Sequence, residues 1–499
     1  MDAMSDTTTS AAETTAEPQA NERNAGRSTT PLSSRFVEHV QQGWADREEV
    51  LPEPRAAAAE AAARRAALSA KHPGARIVVP AGPRKQRSND TDYPYRAAPD
   101  FAILTGWGAD AEPDSVLVLE PTDDGHDATL YFRQPAGRDT TEFFANAEIG
   151  EFWIGPRPSL AHVAADLDVA TKDLAEVDAV LDDASVPVLV TTEGDPAIVA
   201  RLSERANASA EGADVVGRDL AELRLVKSAW EIAEVQRAVD ATQAGFEDVI
   251  RDLDAARAHA RGERVVEGTF HRRARMDGNA VGYDTIAASG AHACILHWTR
   301  NDGVVRDGDL MLLDAGVEVD SLYTADVTRT LPISGTFSPV QRKVYEAVLE
   351  AADAAFAVVR PGIVFKEIHA AAMEVIARRT AEWGLLPMSA EESLEPENQL
   401  HRRWMVHGTS HHLGLDVHDC AQARRDFYHD GIVEEGMVFT IEPGLYFQPD
   451  DLTVPEELRG IGVRIEDDVV VTADGVRNLC GAIPRTVDDV EAWMARLRA

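Results

Sequence analysis

Four carboxylates of this sequence stand inside strand-like apolar runs, where an unpaired charge costs several kcal/mol. They are Asp314 in LMLLDAG, Asp326 in YTADVTR, Glu442 in TIEPGLY and Glu466 in GVRIEDD. Taken singly, each has an ordinary explanation, because a Glu before Pro-Gly is commonly a turn residue and a strand Asp commonly pairs with an Arg. Taken together, they predict a site at which a cation neutralises buried negative charge.

A histidine-rich segment, HGTSHHLGLDVHD, supplies imidazoles at His407, His411, His412 and His418, followed by Asp419. Four carboxylates and one imidazole form an oxygen-rich ligand set that suits Mn(II) or Co(II) better than a structural zinc. Two of the carboxylates could bridge two ions, and such a centre lowers the pKa of a bound water towards neutrality. The other histidines, and His297 in CILHWTRND, are candidate proton carriers because imidazole titrates near neutral pH.

Other catalytic and metal-binding signatures are missing from the chain. It contains no H-E-x-x-H, no G-x-S-x-G and no Gly-Lys dipeptide, which argues against zincins, serine hydrolases and P-loop enzymes. The cysteines are widely separated, which supports neither a disulfide framework nor a thiolate zinc site. They are Cys294, Cys420 and Cys480.

Charge and composition exclude further classes of protein. The net charge of −36 repels phosphate backbones and anionic lipid surfaces, so neither nucleic acid nor a membrane is an expected partner. No apolar run approaches the roughly 20 residues that span a bilayer, and the N-terminus lacks the basic and apolar regions of a secretory signal. These features predict a cytoplasmic protein.

The chain of 499 residues is long enough for two structured domains. Residues 1–45 are expected to form a disordered tail, since their Thr-, Ser- and Ala-rich start has few large apolar residues, and 46–74 a helical extension. Short β-branched runs alternating with helical stretches predict an α/β domain over 75–218. Long amphipathic helices mixed with strands predict an α+β domain with a largely antiparallel sheet over 219–499. Within it, a turn near Asp320 would place Asp314 and Asp326 on neighbouring strands of a hairpin.

These segments resemble the proline-specific aminopeptidase P branch of the pita-bread metallopeptidases, over about residues 75 to 495. The gapped signature His-x-x-Gly-x-x-x-His-Asp is present as His411, Gly414, His418 and Asp419, with His407 four positions before His411. The stretch RSNDTDYPYRAAPDFAILTGW is similar to the N-terminal domain of aminopeptidase P. The resemblance implies an α/β domain of the creatinase and aminopeptidase P type, followed by a pita-bread catalytic domain with a curved sheet.

The resemblance also implies the roles of individual residues. Two Mn(II) ions, for which Co(II) or Zn(II) could substitute, would be held by five ligands: Asp314, Asp326, His411, Glu442 and Glu466. Asp326 and Glu466 would bridge the ions, and Glu442 would help to deprotonate the nucleophilic water, giving the hydroxide that bridges them. The substrate and the intermediate would be oriented and stabilised by three histidines, with two further side chains supporting the ligands: His297, His407, His418, Tyr446 and Arg464.

The implied activity is metal-dependent hydrolysis of the N-terminal Xaa-Pro bond, which releases the first residue of peptides with proline second. The closer alternative is an Xaa-Pro dipeptidase of the prolidase type, which acts on dipeptides. A metal-free binding protein or a creatinase-type amidinohydrolase on the same scaffold is a further alternative. The intact ligand set argues against both metal-free alternatives.

Three further features of the sequence lead to structural predictions. Trp153 in FWIGPRP matches an aromatic residue that members of the family insert into a neighbouring subunit's site, which implies a homo-oligomer, a dimer or a tetramer. The spacing from Asp314 to Asp326 is one residue longer than the family commonly has, so a register slip would turn one carboxylate to the wrong face. His412 is expected to be a side chain of the pocket wall.

Overall fold

A computed structural model describes residues 29–203 and 214–499. Most of the predicted tail, 1–45, lies outside the described residues, but its last part differs from the expectation because Ser34–Val40 form a helix. The Phe36 ring packs edge-on against Phe144, with 5.7 Å between ring centroids, and Trp44 packs similarly against Phe143 at 5.3 Å. The polar composition of residues 1–45 as a whole concealed the two aromatic residues, Phe36 and Trp44, that pack against the rest of the chain.

The N-terminal domain is built on a five-stranded mixed sheet. In order across the sheet its strands are Ala170–Asp173, Gly125–Phe132, Val116–Thr122, Arg76–Pro80 and Val188–Val190. Every residue of the RIVVP strand is buried, as expected for an apolar run on an interior strand of a sheet. The principal helices are Ala56–Lys71, Pro99–Thr105, Leu160–Leu167, Val177–Asp182 and Pro196–Ser203. Helix Ala56–Lys71 buries Ala57, Ala58, Ala61 and Leu68, so it packs against the rest of the chain.

Long helices follow in the second half of the chain. The predicted boundary at 218/219 falls within helix Val215–Arg224, and the next helix opens with a capping box between Ser228 and Glu231. Because one continuous helix crosses the predicted boundary, the division of the chain into two domains at this position stays a prediction. The long helices of the second half are Ala229–Ala258, Gly262–Asp277, Pro339–Val358, Lys366–Glu382 and Val487–Arg498.

Open antiparallel sheets form the core of the second half of the chain, which confirms the predicted fold class. One sheet has the strand order Val327–Pro332, Leu310–Ala315 and Ile286–Ser289, and another has the order Val438–Ile441, Asp467–Thr472 and Gly475–Asn478. Two-stranded sheets join Gly444–Tyr446 to Gly462–Arg464 and Ala280–Val281 to Val317–Glu318. All of these pairs are antiparallel.

The predicted hairpin keeps one register from end to end. Asp314 pairs with Thr328 and Ala315 with Val327, and the same register continues as a bridge between Glu318 and Thr324. Because side chains alternate along a strand, Asp326, two residues before Thr328, lies on the same face as Asp314. The longer spacing is therefore absorbed in the turn around Leu322, whose φ is +70°, and no slip occurs.

A buried arginine ties this hairpin to the strand that follows Glu466. Arg329 and Asp467 are fully buried, and Arg329 Nη2 lies 2.6 Å from Asp467 Oδ1. The five N–H groups of Arg329 all have acceptors: the carbonyls of Pro484, Thr328, Glu466 and Ile483, and the Asp467 carboxylate. The arginine therefore fixes the distance between the strands that carry Asp326 and Glu466.

We expect Arg329→Met to lower the free energy of unfolding by about 3 kcal/mol, because removing one partner of a buried ion pair strands the other. Asp467 would keep only Arg485, whose Nε lies 3.0 Å from its second oxygen. Urea unfolding followed by fluorescence measures the effect. The matched control is Arg342→Met, which removes a surface pair with the exposed Asp488 and should leave the midpoint unchanged. Equal midpoints for the two variants would contradict the prediction.

Candidate metal centre and active-site cavity

The predicted site residues converge on one cavity of about 800 Å³. Its walls include all five predicted ligands, together with His297, His407, His418 and Arg464. Tyr446 is buried behind the wall and is hydrogen bonded to two of its members, His407 and Arg464. The structure thus brings together every predicted site residue.

Strand ends position the ligands. Asp314 lies near the end of Leu310–Ala315, and Asp326 immediately precedes Val327–Pro332. Glu442 immediately follows Val438–Ile441, and Glu466 immediately precedes Asp467–Thr472. His411 is held beside these strands because the Thr440 N–H donates to its carbonyl oxygen at 2.9 Å.

The ligand atoms are close enough to share cations. One atom each from Asp326, His411 and Glu466 lie within 4.8 Å of one another. His411 Nε2 lies 3.3 Å from Asp326 Oδ2 and 3.6 Å from Glu442 Oε1. His411 Nδ1 is 3.2 Å from the His412 carbonyl oxygen, which directs Nε2 towards the carboxylates.

A tyrosine that sequence reasoning missed links Asp314 to this group. The Tyr283 hydroxyl lies 2.6 Å from Asp314 Oδ1 and 2.6 Å from Asp326 Oδ1. A phenol has one proton, so it cannot donate to both carboxylate oxygens at once. Two buried carboxylates that converge on one hydroxyl fit a site designed for added positive charge.

The electrostatics of the cluster support the same assignment. Burial raises the pKa values of Asp314 and Glu466, and nearby Asp326 raises that of Glu466 further. Burial also raises the pKa of Glu442 to about 7. Burial opposes ionisation of Asp326 as well, but hydrogen bonding to His411 holds its pKa below the usual range. Divalent ions would stabilise all four carboxylates in the ionised form, so the donor set fits such ions.

Thr328 and Arg464 support the ligands from behind. The Thr328 hydroxyl donates to Glu466 Oε2 at 2.7 Å and accepts from Arg464 Nε at 3.1 Å. The Arg464 guanidinium also donates to Asp314. Both outer residues therefore orient carboxylates of the centre.

Thr328→Val is expected to weaken metal binding by about 10- to 100-fold, because valine keeps the shape of threonine but removes the hydroxyl that orients Glu466. Titration of the metal-stripped protein with Mn(II), followed calorimetrically, measures this affinity. Thr330→Val is the matched control: its hydroxyl lies on the same strand face but bonds only the Arg464 backbone. Equal losses for the two variants would show that the strand, and not the Glu466 contact, sets the affinity.

A chain of hydrogen bonds fixes His407 in one tautomer. Arg464 Nη1 donates to the Tyr446 hydroxyl at 3.1 Å, and that hydroxyl donates to His407 Nε2 at 2.8 Å. His407 Nδ1 donates to the Gly408 carbonyl at 2.7 Å. Burial lowers the pKa of His407 to about 3, so its ring is neutral at pH 7.

Two basic side chains, Arg224 and Lys227, hold the C-terminal end of the histidine-rich segment through ion pairs. Lys227 Nζ lies 2.9 Å from Asp419 Oδ2, and Arg224 donates to both Asp419 and Asp416. Burial opposes ionisation of Asp419, but these two cations hold its pKa well below the usual range. His418, the residue before Asp419, faces the cavity with its ring centroid 4.2 Å from that of His411.

The prediction for His412 is wrong. Its side chain is buried away from the cavity, where it stacks on Phe365 with 4.6 Å between centroids and 17° between ring planes. Burial lowers its pKa to about 3, so it packs as a neutral ring. The run of histidines obscured the alternation of the segment, which turns His411 towards the carboxylates and His412 towards the core.

The described residues contain no helix that is both long and apolar enough to cross a membrane.

Two family models match the chain. "Metallopeptidase family M24" matches residues 233–473, and "Aminopeptidase P, N-terminal domain" matches residues 61–187. The second match begins inside helix Ala56–Lys71. The centre described above lies wholly within the first match.

Relatives and solved structures agree with these models. Xaa-Pro aminopeptidase 1 of Streptomyces coelicolor is 53% identical over 467 residues, which cover 94% of this chain and 93% of the relative. The Xaa-Pro aminopeptidase of Escherichia coli is 34% identical over 450 residues, covering 87% and 97% of the two chains. The structure of Zn-substituted E. coli aminopeptidase P in complex with product is 32% identical, with a TM-score of 0.76, and the match covers 90% of this chain and 100% of that one. The chain therefore belongs to the Xaa-Pro aminopeptidases of metallopeptidase family M24.

Proposed function

We propose that this enzyme hydrolyses the N-terminal Xaa-Pro bond and releases the first residue of peptides whose second residue is proline, using two Mn(II) ions. The observation that carries the proposal is the convergence of four carboxylates, three of them buried, and His411 on one cavity. Membership of metallopeptidase family M24 establishes a divalent metal cofactor. The names of the relatives support the Xaa-Pro specificity.

The metal ligands, Glu442 and the histidines have different roles in hydrolysis. Divalent ions held by the five ligands supply Lewis acidity that makes hydroxide available near neutral pH. Glu442, which lines the cavity between His411 and His407, accepts the proton of the attacking water. His297 and His418 face the peptide and stabilise the charge that develops on its carbonyl oxygen, whereas His407, whose two ring nitrogens are hydrogen bonded to Tyr446 and Gly408, orients the substrate as part of the cavity wall.

Apolar side chains of the cavity wall offer a place for the proline ring. Proline fixes φ and leaves the scissile nitrogen without a hydrogen, so the site needs no acceptor for that nitrogen. Apolar side chains that can pack against the ring line the cavity beside the histidines: Ile286, Leu296 and Val417. We therefore expect the specificity for proline to arise from packing.

Arg-Pro and Arg-Pro-Pro separate the proposal from the prolidase alternative. Release of arginine from the tripeptide, followed by chromatography, supports an aminopeptidase. Cleavage of the dipeptide alone would overturn it. Reloading the stripped protein with Mn(II), Co(II) or Zn(II) tests the metal, and we expect the highest activity with Mn(II).

We also propose a homo-oligomer in which Trp153 reaches a neighbouring subunit. Trp153 is 52% exposed although its indole N–H is bonded to the Phe144 carbonyl, and the adjacent Phe152 is 67% exposed. Light scattering of wild type and Trp153→Ala tests this assignment. A wild-type monomer would contradict it.

A cytoplasmic location stays a prediction.

A further inference from the structure

A buried carboxylate outside the metal centre accepts hydrogen bonds from four N–H groups of residues 289–303. Glu263 is fully buried in the first turn of helix Gly262–Asp277. Its Oε1 accepts from Ser289 N at 2.8 Å and from His292 Nδ1 at 2.7 Å. Its Oε2 accepts from Trp298 Nε1 at 2.8 Å and from Gly303 N at 2.6 Å.

Only a carboxylate can accept all four of these bonds. An ionised carboxylate has about four lone-pair sites and no hydrogen, whereas an amide replaces one oxygen with an NH₂ group. The N-terminal end of the helix also favours the negative charge. Glu263 is thus matched in charge and in number of acceptors to the donors around it.

Three of these donors, His292, Trp298 and Gly303, belong to residues 290–303, which we call the 290–303 loop, and the fourth, Ser289, immediately precedes it. His297 and Thr299 of this loop line the catalytic cavity, whereas Trp298 between them turns inward to Glu263. The His292 ring stacks on Trp298, with 3.9 Å between centroids and 26° between planes. The anchor therefore lies next to His297 in sequence and on the opposite side of the loop.

A second buried side chain fixes the C-terminal end of the 290–303 loop. Asn301 is fully buried with a φ of +48°. Its side chain accepts from Ala287 N at 3.0 Å and donates to the Thr285 carbonyl at 2.8 Å. With this end fixed to the strand Ile286–Ser289, the bonds from Trp298 and Gly303 to Glu263 set where His297 stands.

We propose that Glu263 is a positioning residue that holds His297 against the reacting peptide by fixing the 290–303 loop. The proposal rests on the proposed function, in which His297 stabilises the developing charge. Displacement of a catalytic group by about 1 Å can lower a rate by about 100-fold. Loss of the Glu263 anchor should therefore reduce kcat while leaving the metal ligands in place.

Glu263→Gln tests this role with little change in shape. We expect kcat for Arg-Pro-Pro to fall at least about tenfold, with unchanged metal content per subunit. In a His297→Ala background the same change should cost less than about twofold, because Glu263 acts through His297. The control is Asp248→Asn, which removes another buried carboxylate that holds the same helix through Arg273 but does not touch the loop.

The outcomes separate the two proposals. Inactivity of the wild type with Mn(II) would overturn the proposed function and the positioning role together. Activity of Glu263→Gln equal to that of Asp248→Asn, or losses that multiply with His297→Ala, would overturn the positioning role alone. If Glu263→Gln fails to fold, Trp298→Phe removes one donor and retains an aromatic ring. We expect it to lower kcat about threefold with the same lack of additivity, and full activity would overturn the proposal.

Discussion

The Asp326→Asn variant is expected to lose at least about 10³-fold in kcat/KM for Arg-Pro-Pro. Asp326 Oδ2 lies 3.3 Å from His411 Nε2, one atom each of Asp326, His411 and Glu466 lie within 4.8 Å of one another, and Asp326 is one of the two residues predicted to bridge the ions. An amide keeps the size of the side chain but has neither the charge nor the second oxygen that a bridge requires. The loss of several kcal/mol of charge stabilisation corresponds to this fall in rate.

Steady-state kinetics together with metal analysis by mass spectrometry measure the effect. Metal content per subunit should fall along with activity. Asp320→Asn is the matched control, because Asp320 is exposed at the turn of the same hairpin and lies outside the cavity. Wild-type activity in Asp326→Asn would remove this residue from the centre.

Glu442→Gln is expected to lower kcat by about 10²- to 10⁴-fold, the contribution typical of a general base. Glu442 lies 3.6 Å from His411 Nε2 and 3.5 Å from His407 Nδ1, so it stands between a predicted ligand and a predicted substrate contact. Glutamine retains an oxygen for binding but cannot accept the proton of the attacking water. Glu442→Asp, which keeps the base but shortens its reach by one methylene, should retain more activity than Glu442→Gln.

Single-turnover release of arginine separates this chemistry from peptide binding. The expected pattern is a reduced rate with KM changed far less than kcat. A Glu442→Gln enzyme with a normal rate would place the base elsewhere.

The sequence was most informative where a charged residue stands within an otherwise apolar run. Carboxylates within apolar runs located Asp314, Asp326, Glu442 and Glu466, and the hairpin pattern placed Asp314 and Asp326 on neighbouring strands. Thr328 could also have been found, because it lies two residues after Asp326 on a strand and so shares its face.

The remaining supports depend on contacts between distant segments. Tyr283 reaches Asp326 across 43 positions and Glu263 reaches Gly303 across 40, and neither carries a local pattern that marks it. The clamp formed by Arg224 and Lys227 on Asp419 spans more than 190 positions. Such pairings are set by the folded topology, so a single sequence predicts the ligands better than the residues that hold them.

Release of the N-terminal residue from Arg-Pro-Pro and Arg-Ala-Ala by the metal-stripped protein, with and without added Mn(II), tests the central claim most directly. The account predicts arginine release from Arg-Pro-Pro alone, and only when Mn(II) is present. Failure to cleave either peptide, with no metal bound after reloading, would contradict it, as would equal cleavage of both peptides.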